Sequence, residues 1–148
     1  MTYAIQIHPQ EHLAGFLFHG PVSVAQGTRA FLDYIRMPGF DPTHNMLTDA
    51  RDVTAVEADF HRIFFHVANL LPQLGHFPKG SLSVVLLAGE PVLGHIQTLS
   101  KVLEWSSNIR MVSTRDESQA LQLLGVRAGL SCDDLVPRRD AATGAAAR

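Results

Sequence analysis

Asp49, Arg51 and Asp52 stand within four residues of one another in the stretch NMLTDARDVTAVEADF (45–60), where an apolar run gives way to charge. A carboxylate at a strand end can take up a proton, grip a guanidinium or meet a partner, and a histidine within reach completes an acid–base pair. His19, in the run HLAGFLFHG (12–20), is the histidine that neighbouring strand ends would bring to Asp49 or Asp52. Thr54 follows, with a hydroxyl suited to capping a helix. Asp49, Arg51, Asp52 and Thr54 form the candidate ligand- or partner-binding set, and Asp49, Asp52 and His19 form the alternative, enzymatic one. A plainer explanation competes with both. Turns between strand and helix need polar caps whatever the function, and Arg51 between two aspartates can simply neutralise them.

Other chemistries find less support. The chain has 8 histidines. His61 and His66 lie five apart on an expected helix, about 140° from each other around its axis, so they do not share a face as metal ligands would. His8 and His12 flank a solvated turn and make at most an adventitious pair. Cys132 is the single cysteine, which excludes an internal disulfide and a cysteine-rich metal cluster. No nucleophile elbow, phosphate-binding loop or dinucleotide fingerprint occurs. No metal and no cofactor is expected.

These residues need elements to position them. TYAIQIH (2–8) and HLAGFLFHG (12–20) are β-rich runs separated by PQE, a hairpin-length loop. From Ser23 the period becomes helical: Val24, Phe31, Leu32 and Ile35 recur along one face, and Ser23 with Gln26 forms a capping box. NMLTDA (45–50) reads as a strand. Thr54 and Glu57 read as a second capping box, opening a helix to residue 74 with Phe60, Ile63, Phe64, Val67, Leu71 and Leu74 on its apolar stripe. Phe65 and Leu70 fall off that stripe, so this helix calls for cover on a second side.

SLSVVLLAG (81–89) is nearly continuous in apolar residues, as expected of a parallel strand buried on both faces. Pro91 suits a first helical position, before Val92, Ile96, Leu99 and Leu103. IRMVS (109–113) is a last strand, and Thr114 with Glu117 caps a final helix that buries Ala120, Leu121 and Leu124. The order ββαβαβαβα predicts an α/β fold with a mixed, mostly parallel sheet flanked by helices. Residues 1–127 make one domain. Residues 128–148, small, polar and aperiodic, are expected to form a mobile tail, although LVP (135–137) has the composition to dock.

In such sheets ligands meet the carboxyl ends of the parallel strands, where helix N-termini gather. HGPVS, DARDVT, GEP and STRDE occupy the four predicted ends, so Asp49, Arg51, Asp52, Glu90, Arg115 and Asp116 should share one rim. Composition sets the outer bounds. A chain of 148 residues, 46% hydrophobic and 18% charged with net charge −2, is that of a folded domain without the basic excess nucleic acid demands. The longest apolar run is far short of a bilayer span, and no signal peptide is visible, so a cytoplasmic protein not bound to membrane or nucleic acid is expected.

The stretch MPGFDPTHNMLTDARDVT resembles the signature hP.F.p..n.L.D.R.vt of the SpoIIAA-like branch of the STAS domains (sulfate transporter and anti-sigma-factor antagonist). LGHIQTLSKVLEWSSNIRMVSTRDESQALQLLG resembles the closing helix, strand and helix of that branch, and the similarity covers roughly residues 3 to 127. It implies a mixed sheet flanked by helices, related to the Sec14-type lipid-binding fold. In the antagonists of that group a hydroxyl at the start of the second helix accepts a phosphate. Thr54 is the matching hydroxyl here and so a candidate phosphosite, although the Asp-Ser-Ser-Gly type of turn is missing and Asp52, Glu57 and Asp59 would oppose added negative charge.

Three functions follow as expectations. The first is a non-catalytic, regulatory interaction module that binds a protein partner or itself as a dimer. The second is a carrier holding a small apolar or lipid-like ligand between the sheet and the 56–74 and 91–107 helices. The third is a small enzyme using Asp49, Asp52 and His19.

Overall fold

The computed structural model describes residues 2–57 and 59–137. Five strands, β1 (Tyr3–His8), β2 (Leu13–Ser23), β3 (Asn45–Glu57), β4 (Ser81–Leu86) and β5 (Ile109–Thr114), form one sheet in sequential order. The first pair is antiparallel and the remaining three are parallel, as the strand–helix alternation predicts. The helices are α1 (Val24–Arg36), α2 (Phe60–Asn69), α3 (Leu71–Leu74), α4 (Glu90–Ser106), α5 (Glu117–Leu124) and α6 (Cys132–Leu135).

Sequential order has a consequence for layering. Right-handed crossovers between successive neighbours deliver every connecting helix to the same face of the sheet. Accordingly, Tyr34 of α1, Ile63 and Val67 of α2, and Val102 and Leu103 of α4 share a core with Ala14, Phe16 and Met46 of the sheet. The strand residues that alternate with these, Leu13, Leu47, Val84 and Leu86, point to the opposite face. Only chain that follows β5 remains to cover them. That cover comes from Ala120 and Leu124 of α5 and from Cys132, Leu135 and Val136.

The mobile-tail expectation for residues 128–148 is therefore corrected as far as Pro137. Cys132, Leu135 and Val136 are core residues, and LVP does dock. Gly15 of β2 makes the docking possible, because a Cβ there would stand 1.9 Å from the Leu135 carbonyl oxygen. The His8 Nε2 atom is 2.8 Å from the same oxygen. Residues 138–148 lie outside the described residues.

Several element boundaries differ from expectation. The Ser23–Gln26 capping box is present, but β2 and β3 run on to Ser23 and Glu57 and pair along that length. Three steps along β3 (Asp49 to Asp52) match two along β2 (Leu17 to His19), and a second register shift follows at Gly20/Pro21. Bulges of this kind bend a strand pair and increase its twist. The 56–74 helix is broken at Leu70, with Pro72 opening the separate turn α3. Of its expected stripe, Ile63, Val67 and Leu74 are buried, whereas Phe64 and Leu71 are exposed; the side chain of Phe60 lies outside the described residues. Asp116, rather than Thr114, caps α5 by accepting from the Gln119 N–H at 3.3 Å.

Candidate functional site

The carboxyl ends of the parallel strands do gather on one side. Asp49, Leu86 and Thr114 are level across β3, β4 and β5, with Arg115 and Asp116 directly after Thr114. The side chain of Glu90 lies outside the described residues. Beyond this level β2 and β3 continue as a two-stranded ribbon, so the candidate residues 51–54 belong to a strand rather than to a turn.

Asp49 is 5% exposed, and a buried carboxylate requires a cation or several donors. It has both. The Arg51 guanidinium donates from Nε to Oδ1 at 3.0 Å and from Nη2 to Oδ2 at 2.8 Å, and the Arg51 backbone N–H donates to Oδ1 at 3.1 Å. This clamp raises the Arg51 pKa above the ordinary arginine value, chiefly through the hydrogen bonds to Asp49. Arg51 also reaches Asp133 of α6 at 3.7 Å. Beside it, Glu117 accepts the Cys132 N–H at 2.9 Å. Burial, then the charge of Glu117, pushes the Cys132 thiol up to about 12. Together Asp49, Arg51, Glu117, Cys132 and Asp133 fasten the C-terminal segment over the second face. Arg51 thus pairs with Asp49 as the sequence allows, and the pair serves an internal contact.

The remaining candidates separate from that pair. Asp52 and Thr54 are exposed. Thr54 lies inside β3 and caps nothing; the N-cap of α2 is Asp59, whose carboxylate accepts from the Arg62 N–H at 2.8 Å. The placement of Thr54 at the start of the second helix is corrected accordingly, because the ribbon carries the strand past it. His19 and Asp52 are register partners across β2 and β3, yet the His19 Nε2 atom is buried without a hydrogen-bond partner. The acid–base arrangement is not assembled among the described residues.

A cavity of about 240 Å³ lies on the opposite face of the sheet, between it and α1, α2 and α4. Phe16, Ala50, Val53, Val67 and Ile96 are among its wall residues, and the lining is almost wholly apolar. The bulges contribute directly, since both Ala50 and Val53 of β3 face this space although they are three residues apart. Polar atoms are few: Thr48 and Ser83 on the sheet, Ser23 and Thr28 near the start of α1, and His66 and His95 on the helices. No Lys, Arg, Asp or Glu stands among the described lining residues.

The location agrees with the space expected beneath the second and third crossover helices, but the wall residues on the sheet were not singled out by sequence. One signal was available. Ser83 interrupts the otherwise apolar run LSVVLLAG, and a hydroxyl at an inward position of a central strand needs an explanation. No group of His, Cys, Asp and Glu among the described residues is arranged to hold a metal.

No family model matches the chain, and no curated protein does. Among solved structures, an uncharacterised protein of the DUF3478 family from Shewanella loihica PV-4, with a SpoIIAA-like fold, aligns at TM-score 0.51 and 17% identity over 82% of this chain and 93% of that one. The fold is SpoIIAA-like. The likeness extends to architecture and, at that identity, no further. In the SpoIIAA-like fold seen here, the antiparallel β1 edge and the in-order parallel strands leave the cavity on the crossover-helix face and the Asp49–Arg51 clamp on the other. No helix among the described residues is long and apolar enough to cross a membrane.

Proposed function

We propose that this chain is a non-catalytic binding protein for a small apolar molecule, held between the sheet and α1, α2 and α4. The observation that carries the reading is the cavity of about 240 Å³ with its apolar lining. An apolar cavity of about 150 Å³ suffices for benzene, so a molecule of roughly ten to twelve heavy atoms matches this one. The cavity is not closed off from solvent, so a molecule entering it removes apolar wall from water, a gain of about 25 cal/mol per Å² buried.

Native mass spectrometry of gently purified protein tests this. The reading expects a bound small molecule, or uptake of an added one, and loss of that species in the cavity-filling variant Ala50→Leu. A clean apo mass before and after exposure to apolar compounds contradicts it.

The interaction-module reading draws on a different surface from the one its candidate residues suggested, because Asp49 and Arg51 are engaged with each other. Phe64 and Phe65 on α2 are 50% and 64% exposed. In this second reading they join two copies of the chain. Light scattering should then give a dimer that Phe65→Ser dissociates; a monomer at all concentrations removes it.

A further inference from the structure

The cavity floor indicates which apolar molecules suit it, and this inference rests on the binding reading above. Ser83 of β4 is 4% exposed and lines the cavity. Thr48 of β3 lines the same floor. Met46 is the register partner of Ser83, and Thr48 lies two residues further along the same face, so the two hydroxyls are diagonal neighbours across adjacent strands. Apolar walls surround them.

A hydroxyl lining the cavity loses its access to water when an apolar ligand enters, which is unfavourable unless the ligand bonds to it. A serine can give one hydrogen bond and accept others, so a carbonyl, ether or hydroxyl oxygen satisfies it. A carboxylate does not, because burying that charge calls for a cation and the described lining contains no lysine or arginine. The histidines of the lining belong to the helical walls, on α2 and α4, rather than to the floor. A pure hydrocarbon fills the volume but leaves Ser83 unsatisfied.

We infer that the ligand is a neutral apolar molecule carrying one hydrogen-bonding oxygen, which enters oxygen-first to meet Ser83 and Thr48 on the sheet. The apolar remainder lies against the helices. The floor thus sets orientation and chemical class, while the walls supply most of the contact.

Calorimetric titration with three probes of similar size separates the contributions. These are benzylacetone (a neutral ketone), butylbenzene (a hydrocarbon) and hydrocinnamate (a carboxylate). Ser83→Ala should weaken benzylacetone about five- to tenfold, the loss of one hydrogen bond, and leave butylbenzene within about twofold. Hydrocinnamate should bind the native chain at least about tenfold more weakly than the ketone. Thr48→Val, nearly identical in shape, should lower ketone affinity in the same direction and provides a second variant should Ser83→Ala not fold. The inference is overturned if ketone and hydrocarbon lose affinity equally in these variants, if neither loses any, or if the carboxylate binds as well as the ketone. Failure of all three probes to bind the native protein overturns the cavity reading itself.

Discussion

Gly15 of β2 and Leu135 of α6 meet backbone to backbone, so closely that a Cβ on Gly15 would lie 1.9 Å from the Leu135 carbonyl oxygen. Gly15→Ala must therefore displace the C-terminal segment. The expected cost is about 3 kcal/mol, at the upper end of what overpacking a core usually brings. Chemical denaturation measures it. Hydrogen exchange should show residues 131–137 losing protection while the β2–β3 pair keeps its own.

Arg51 neutralises a carboxylate that is otherwise buried. Arg51→Ala should destabilise the fold by about 2 kcal/mol, less than the 3–5 kcal/mol typical of a fully buried pair because Arg51 is partly exposed. Adding Asp49→Asn should recover part of that loss, since the amide carries no charge to strand. A double variant no more stable than Arg51→Ala alone would mean that the clamp is not electrostatic in origin.

Cys132 has a thiol raised from 9.0 to about 12 by burial and by the charge of Glu117. The folded form therefore holds its proton more tightly than the unfolded form does. Its contribution to stability is complete below pH 9 and falls as pH rises from 9 through 12. Unfolding free energy should decline over that window, less steeply in Cys132→Ala. Tyr3, raised to about 12 by burial and by its hydrogen bond to Asp33, adds a decline of the same sign from pH 10, so the difference between the two proteins isolates the thiol. Thiol reagents should react at neutral pH only as fast as the C-terminal segment opens.

Asp59 caps α2 and Thr54 does not. Asp59→Ala should cost about 1 kcal/mol, whereas Thr54→Val, at an exposed strand position, should stay within about 0.5 kcal/mol of the native chain. Thermal unfolding of both variants decides this, and equal losses would restore Thr54 to the helix start.

Strand–helix alternation was legible because period two and period 3.6 are local properties. The Ser23–Gln26 capping box and the apolar 81–86 strand were read for the same reason. The Thr54–Glu57 pair misled because S/T-x-x-E also fits a strand continued by pairing with β2, and pairing is not a local property. Pro72 is a legible breaker, and it divides the 56–74 stripe into two helices. Docking of residues 131–137 was legible from their composition only at LVP (135–137). It follows from strand order, since in-order crossovers leave one face for later chain to cover.

The Asp49–Arg51 contact was legible as a neutralising pair, but its burial beneath α6 depended on that same strand order. The cavity left almost no mark on the sequence, because unfilled space is a property of how several elements diverge. Ser83 and the bulged 49–53 stretch are its only local traces.

Titration with N-phenyl-1-naphthylamine, a neutral fluorescent probe, tests the central claim most directly, using the native chain and Ala50→Leu side by side. Ala50 lines the cavity from β3, and leucine there occupies part of the space. Saturable binding at one site, weakened at least about tenfold in a variant of undiminished stability, is the predicted result. Equal binding by both proteins, or none by the native chain, contradicts it.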